Sequence, residues 1–111
     1  MSTAETAPAL LPQPARHEIR IATVLQALGD PVRLQIVRAL AEDERACMGL
    51  ACGDVPLPVS KSTVTHHLRT LRDAGVVSTR VEGTRRLSTL RREDLDALYP
   101  GLLAGVLAAE R

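Results

Sequence analysis

Apolar residues recur at helical spacing over most of the chain, and the interruptions divide it into elements. Ile19, Ala22, Val24, Leu25 and Leu28 form a stripe from Arg16 onward, which Gly29 ends. Asp30-Pro31 restarts the chain, since Asp is a favoured N-cap and Pro is tolerated at the first helical position. The helix that follows turns Val32, Ile36, Val37 and Leu40 inward. Glu42, Asp43 and Glu44 are expected to open a short helix over residues 44–51. The Gly-Asp-Val-Pro-Leu-Pro stretch after Cys52 cannot continue it. Ser60 then caps a helix with Lys61 as its first residue, Val64, Leu68 and Leu71 facing inward, and Gly75 as its stop.

The period changes after Gly75. Residues 76–81 and 86–90 are rich in β-branched and apolar types, and Glu82-Gly83-Thr84 joins them, which predicts a β-hairpin. From Arg92 a helical stripe returns through Leu95, Leu98, Tyr99, Leu102, Leu103, Val106 and Leu107, with a break or kink expected at Pro100. Residues 1–15 contain three prolines and no period, and read as a flexible arm ahead of one domain over 16–111. The predicted class is mainly α with a small β-hairpin. Helix, helix, short helix, turn, helix, hairpin, helix is the order of a winged helix-turn-helix.

Composition adds a reason to look for a second subunit. The chain has 111 residues, 45% of them hydrophobic with a single aromatic, so its core is built from small aliphatics. A core of that kind gains burial by dimerising, and the crowding of Leu102, Leu103, Val106 and Leu107 marks the subunit contact. Cys47 and Cys52 are too few for a disulfide scaffold, and the start Met-Ser-Thr-Ala-Glu is not a signal segment. With no stretch of the roughly 18 apolar residues a membrane helix needs, a cytoplasmic protein without a membrane partner is expected.

Charge sharpens the picture further. The net charge is +1, but residues 1–59 carry −2, residues 60–92 carry +6 and residues 93–111 carry −3. Positive charge gathered in one third of a near-neutral chain is laid out for a polyanion. It falls on the predicted Ser60 helix, whose face opposite Val64, Leu68 and Leu71 carries Ser62, Thr65, His66 and Arg69. Metal binding, acid/base chemistry and contact with another molecule all compete for that polar face. Adjacent helical residues point about 100° apart, so His66 and His67 do not chelate one ion together. His67 reads as a half-buried structural residue, and no nucleophile or paired acid and base suggests an enzyme. A winged helix used only for protein contacts would present an apolar or acidic face there. Double-stranded DNA is the expected partner, with Lys61, Ser62, Thr63, Thr65, His66 and Arg69 on the helix and Arg80, Arg85 and Arg86 on the hairpin as its contacts.

The segments "ALGDPVRLQIVRAL", "SKSTVTHHLRTLRDAGVV" and "RVEGTRRLSTL" together resemble the ArsR/SmtB family of small dimeric bacterial repressors. The resemblance continues into "REDLDALYPGLL" and so covers nearly everything after the arm. It implies a homodimer through the first and last helices, an inverted-repeat operator, and release by a metal or another signal. The family's metal ligands do not carry over intact. Where the arsenic-type members place two cysteines, this chain has Ala46 and Met48 around Cys47. Where others use Asp-x-His and His-x-x-Glu or His-x-x-His, it has Asp94-x-Asp96 and Leu107-x-x-Glu110. What remains is an oxygen-rich set, Asp94, Asp96 and Glu110, which two-fold symmetry could bring together with His17 and which would hold nickel, zinc or cobalt only moderately. Thiol chemistry at Cys47 and Cys52 is the competing expectation for the signal.

Overall fold

Local capping decides where the helices begin and end. The computed structural model describes residues 9–42, 50–51 and 60–109. Asp30 Oδ1 accepts from the amides of Val32 at 2.8 Å and Arg33 at 3.1 Å, opening helix α2, Pro31–Glu42. Two of the amides that a helix start leaves orphaned are thereby satisfied. Ser60 does the same for α3, Lys61–Ala74, its hydroxyl accepting from the Thr63 amide at 3.2 Å. At the other end of α3, Gly75 has φ +89° and the Val76 amide donates to Leu71 O at 2.9 Å. This is the left-handed helix stop that glycine favours.

Gly75 is held for a second reason. A Cβ there would lie 2.6 Å from Ile19 Cγ1 and 2.7 Å from Ile19 Cδ1. We expect Gly75→Ala to destabilise the fold by about 2–5 kcal/mol, combining about 1–2 for a left-handed alanine with about 1–3 for overpacking Ile19. Chemical denaturation of the variant checks this; a loss under ~0.5 kcal/mol, the usual range for a neutral surface change, would contradict it.

The first helix is shorter than its stripe predicted. Arg16–Glu18 form one 3-10 turn, Ile19 and Arg20 are extended, and α1 runs over Ile21–Leu28. Ile19 leaves the helix because its side chain is buried against Gly75. The inner face of α1 is Val24, Ala27 and Leu28, while Ile21 and Leu25 remain 42% and 51% exposed. Val24, Ala27 and Leu28 join Ile36, Val37 and Leu40 of α2 and Val64, Leu68 and Leu71 of α3 in one core.

The hairpin forms as expected, with strands Val77–Glu82 and Arg85–Leu90 turning at Gly83 with φ +62°. Two further strands extend it. Ala9–Leu10 pairs antiparallel with the first hairpin strand, and Leu50–Ala51 with the second. In chain order these are β1, Ala9–Leu10; β2, Leu50–Ala51; β3, Val77–Glu82; and β4, Arg85–Leu90, arranged β1-β3-β4-β2. The helix expected over residues 44–51 therefore ends as a strand, while residues 43–49 lie outside the described residues. The arm read over residues 1–15 is described from Ala9 on, and there it lies on the hairpin rather than free. Arg91 Nη1 donates to Pro14 O at 2.6 Å and the Leu11 amide donates to Thr79 O at 2.9 Å. An edge strand tolerates the nearby prolines because it pairs on one side only.

The break at Pro100 is present, between α4, Arg92–Leu98, and α5, Leu102–Ala108. Gly101, with φ +88°, turns α5 back so that Arg38 of α2 donates to Ala109 O. One consequence corrects the sequence reading. Leu103 is 1% exposed and belongs to the chain's own core, so it is not free to form a subunit contact. No helix among the described residues is long and apolar enough to cross a membrane.

Candidate nucleic-acid interface

With Val64, Leu68 and Leu71 packed inward, α3 turns its other side to solvent. Lys61, Ser62, Thr65, His66 and Arg69 are all exposed there. The apolar residues sit at i, i+4 and i+7, so the polar ones have no alternative to the outer face. Thr63 behaves differently from its neighbours. It is half-buried, and its hydroxyl lies 2.9 Å from Ser60 Oγ as part of the cap. Its hydroxyl thus belongs to the start of the helix rather than to the outer face.

His67 is half-buried, as expected, and its Nδ1 lies 3.1 Å from Arg33 Nη1. A guanidinium only donates, so Nδ1 accepts and the ring proton sits on Nε2. Arg33 also donates from Nε to Ala27 O at 2.5 Å. One side chain thus ties α1, α2 and α3 together, and His67 serves packing while His66 faces outward.

The hairpin supplies the second half of the basic surface. Arg80 Nε is paired with Glu82 at 2.7 Å. Arg85 sits opposite Glu82 in the ladder, and Arg86 opposite Val81. Consecutive strand residues alternate faces. Val77, Thr79, Val81, Arg86, Ser88 and Leu90 therefore share the face that covers α3, and exposed Arg86 stands at the outer end of it. Sequence reasoning did not single out Arg72. Thr65, Arg69 and Arg72 fall at i, i+4 and i+7, so the same periodicity that found Arg69 could have found it.

The proposed metal ligands do not converge. Asp94 Oδ1 lies 2.6 Å from Arg16 Nε and its Oδ2 lies 2.9 Å from Arg91 Nε. The hydrogen bond from Arg16, helped by Arg91 against the cost of burial, holds the Asp94 carboxyl below the usual carboxylate range. Both oxygens are already committed to guanidiniums that fasten the arm to α4. Asp96, two residues on, points to the other side of the helix and is exposed, as is His17 on its 3-10 turn. Among the described residues no three His, Cys, Asp or Glu side chains are grouped to hold a metal ion. Glu110, Cys47 and Cys52 lie outside the described residues. Within one chain, Asp94, Asp96 and His17 are not grouped around a common point.

Comparison with known proteins reaches the same region of the chain. Residues 30–79 match the family model described as bacterial regulatory protein, arsR family. An uncharacterised HTH-type transcriptional regulator of Methanocaldococcus jannaschii is 38% identical over 65 residues, covering 59% of this chain and 71% of that protein. One from Bacillus subtilis is 33% identical over 84 residues, 74% of this chain and 81% of its own length. The arsenical resistance operon repressor of Staphylococcus xylosus is 32% identical over 84 residues, 74% of this chain and 76% of that protein. The matched residues 30–79 contain α2, α3 and the start of β3, which carry most of the surface described above.

Proposed function

This chain belongs to the arsR family of bacterial regulatory proteins, and from that premise we propose that it is a DNA-binding repressor working as a homodimer. It is a transcriptional regulator rather than an enzyme. In the proposed complex α3 of each subunit enters a major groove of an inverted repeat, and the hairpin lies along the flanking backbone. Half-sites read this way are spaced about one helical turn, roughly 34–36 Å, apart.

The single observation that carries this reading is the outward face of α3, where Ser62, Thr65, His66 and Arg69 are exposed while Val64, Leu68 and Leu71 hold the core. Hydroxyls and an imidazole reach base edges or phosphates, and Arg69 matches the acceptor pair of a guanine edge. Lys61, Arg80, Arg85 and Arg86 add charge that positions the protein without reading sequence. A protein-docking surface would present apolar side chains at these positions.

Duplexes selected from a random pool supply the test. Against a selected duplex, Arg69→Ala should flatten the preference over random DNA by about 1–3 kcal/mol. Arg85→Ala with Arg86→Ala should weaken both kinds of DNA alike. If the hairpin variant lost only specific binding, the roles of helix and hairpin would be reversed; if selection enriched nothing, sequence-specific repression would fail. Nickel, zinc or cobalt through Asp94 is the weaker reading of the signal, because the ion would first have to displace Arg16 and Arg91.

A further inference from the structure

Between α3 and the hairpin lies a small half-open cleft of about 30 Å³, in which a bound group would sit at the mouth. Thr65, Leu68 and Arg72 line it from the helix, and Thr79, Arg86 and Ser88 from the strands. Among the described residues the lining contains two guanidiniums and three hydroxyls but no carboxylate. Two cations facing one opening with no counter-charge in its wall repel each other.

The hydrogen-bond accounts show what is missing. Thr79 Oγ1 and Ser88 Oγ lie 3.1 Å apart and their residues are 3% and 2% exposed. One hydroxyl proton is used between them, whichever donates. The other proton has no acceptor among the described residues. Arg72 Nε is likewise buried with no partner among them. Buried donors left without an acceptor are costly, and native structures rarely keep them without a reason. The vacancies are all for acceptors, and they approach from both the helix and the sheet.

We infer that this cleft is a binding site for a tetrahedral oxyanion, a phosphate group above all. Such a group has only acceptors to offer at its ionised oxygens and carries the charge that Arg72 and Arg86 lack. Its oxygens point in several directions, so one can meet the Thr79–Ser88 pair while others take the guanidiniums, whose fork suits phosphate. The phosphate has two sources, a DNA backbone phosphodiester or free inorganic phosphate acting as a signal. The site stands on its own geometry; only the backbone source rests on the function proposed above.

The experiment titrates the full chain with inorganic phosphate at constant ionic strength, following amide shifts by NMR, and then repeats DNA binding with and without phosphate. Amide shifts centred on Arg72, Thr79 and Ser88, weakened tenfold or more in Arg86→Gln and Arg72→Gln, support the site. Arg86 is exposed, so its variant remains informative should Arg72→Gln fail to fold. A backbone source predicts that Arg86→Gln lowers the salt slope of DNA binding by about 0.9 per chain and that phosphate competes with DNA. A signalling source predicts that phosphate changes DNA affinity in the wild type but not in Arg86→Gln, without competing for the same DNA contact. Phosphate binding in a chain that binds no DNA would keep the site and remove the function proposed above. No phosphate shifts, together with an unaltered salt slope in Arg86→Gln, would overturn the inference.

Discussion

Raising salt from 50 to 200 mM should weaken DNA binding by roughly 10³–10⁵, as expected for about 6–10 phosphates neutralised by two chains. The magnitude follows from where the charge lies. Residues 60–92 carry a net +6 although the chain carries only +1. Lys61, Arg69 and Arg86 are exposed on α3 and the hairpin. Each phosphate neutralised releases condensed counterions, and salt opposes that release. Titrations at four salt concentrations give the slope directly. A flat response would mean that the basic segment is only a solvated surface.

The second large effect concerns association. Leu25→Glu should give monomers and lower operator affinity by about 10²–10⁴, the usual gain from linking two binding units. Ile21 and Leu25 are one turn apart on α1 and are 42% and 51% exposed, while Val24, Ala27 and Leu28 are buried. We propose that a second copy covers these large aliphatics, left outward in adjacent turns of α1. A glutamate at Leu25 would bury an unpaired charge at that contact yet leave the chain's own core untouched. Leu103, crowded in the same way by sequence, cannot serve this test because its replacement would unfold the core. Sedimentation equilibrium decides the matter: a Leu25→Glu protein that stays dimeric places the contact elsewhere.

The contrast between Leu25 and Leu103 shows how far the sequence could be read. Features set by neighbours along the chain were legible: the Ser60 and Asp30 caps, the Gly75 stop, the inner face of α3, the hairpin and the break at Pro100. Features set by contacts between distant residues were not. Ile19 reads as a helical position until Gly75, far along the chain, is seen to accept its side chain. Leu50–Ala51 reads as the end of a helix because its partner strand lies at Leu87 and Ser88. Asp94 reads as a free ligand, although Arg16 and Arg91 occupy both of its oxygens. At the candidate interface the exposed face of α3 followed from periodicity alone. The unmet donors of Arg72 and the Thr79–Ser88 pair did not, since they arise only when the sheet closes over the helix.

The central claim is that the outer face of α3 and the hairpin hold DNA. Amide shift mapping of the full chain on adding a selected duplex tests it most directly. The account predicts the largest changes over residues 60–69, on the outer face of α3, and over residues 80–87 at the hairpin tip, with α1 and α5 little altered. Changes centred on α1 or α5, with residues 60–69 unmoved, would contradict it.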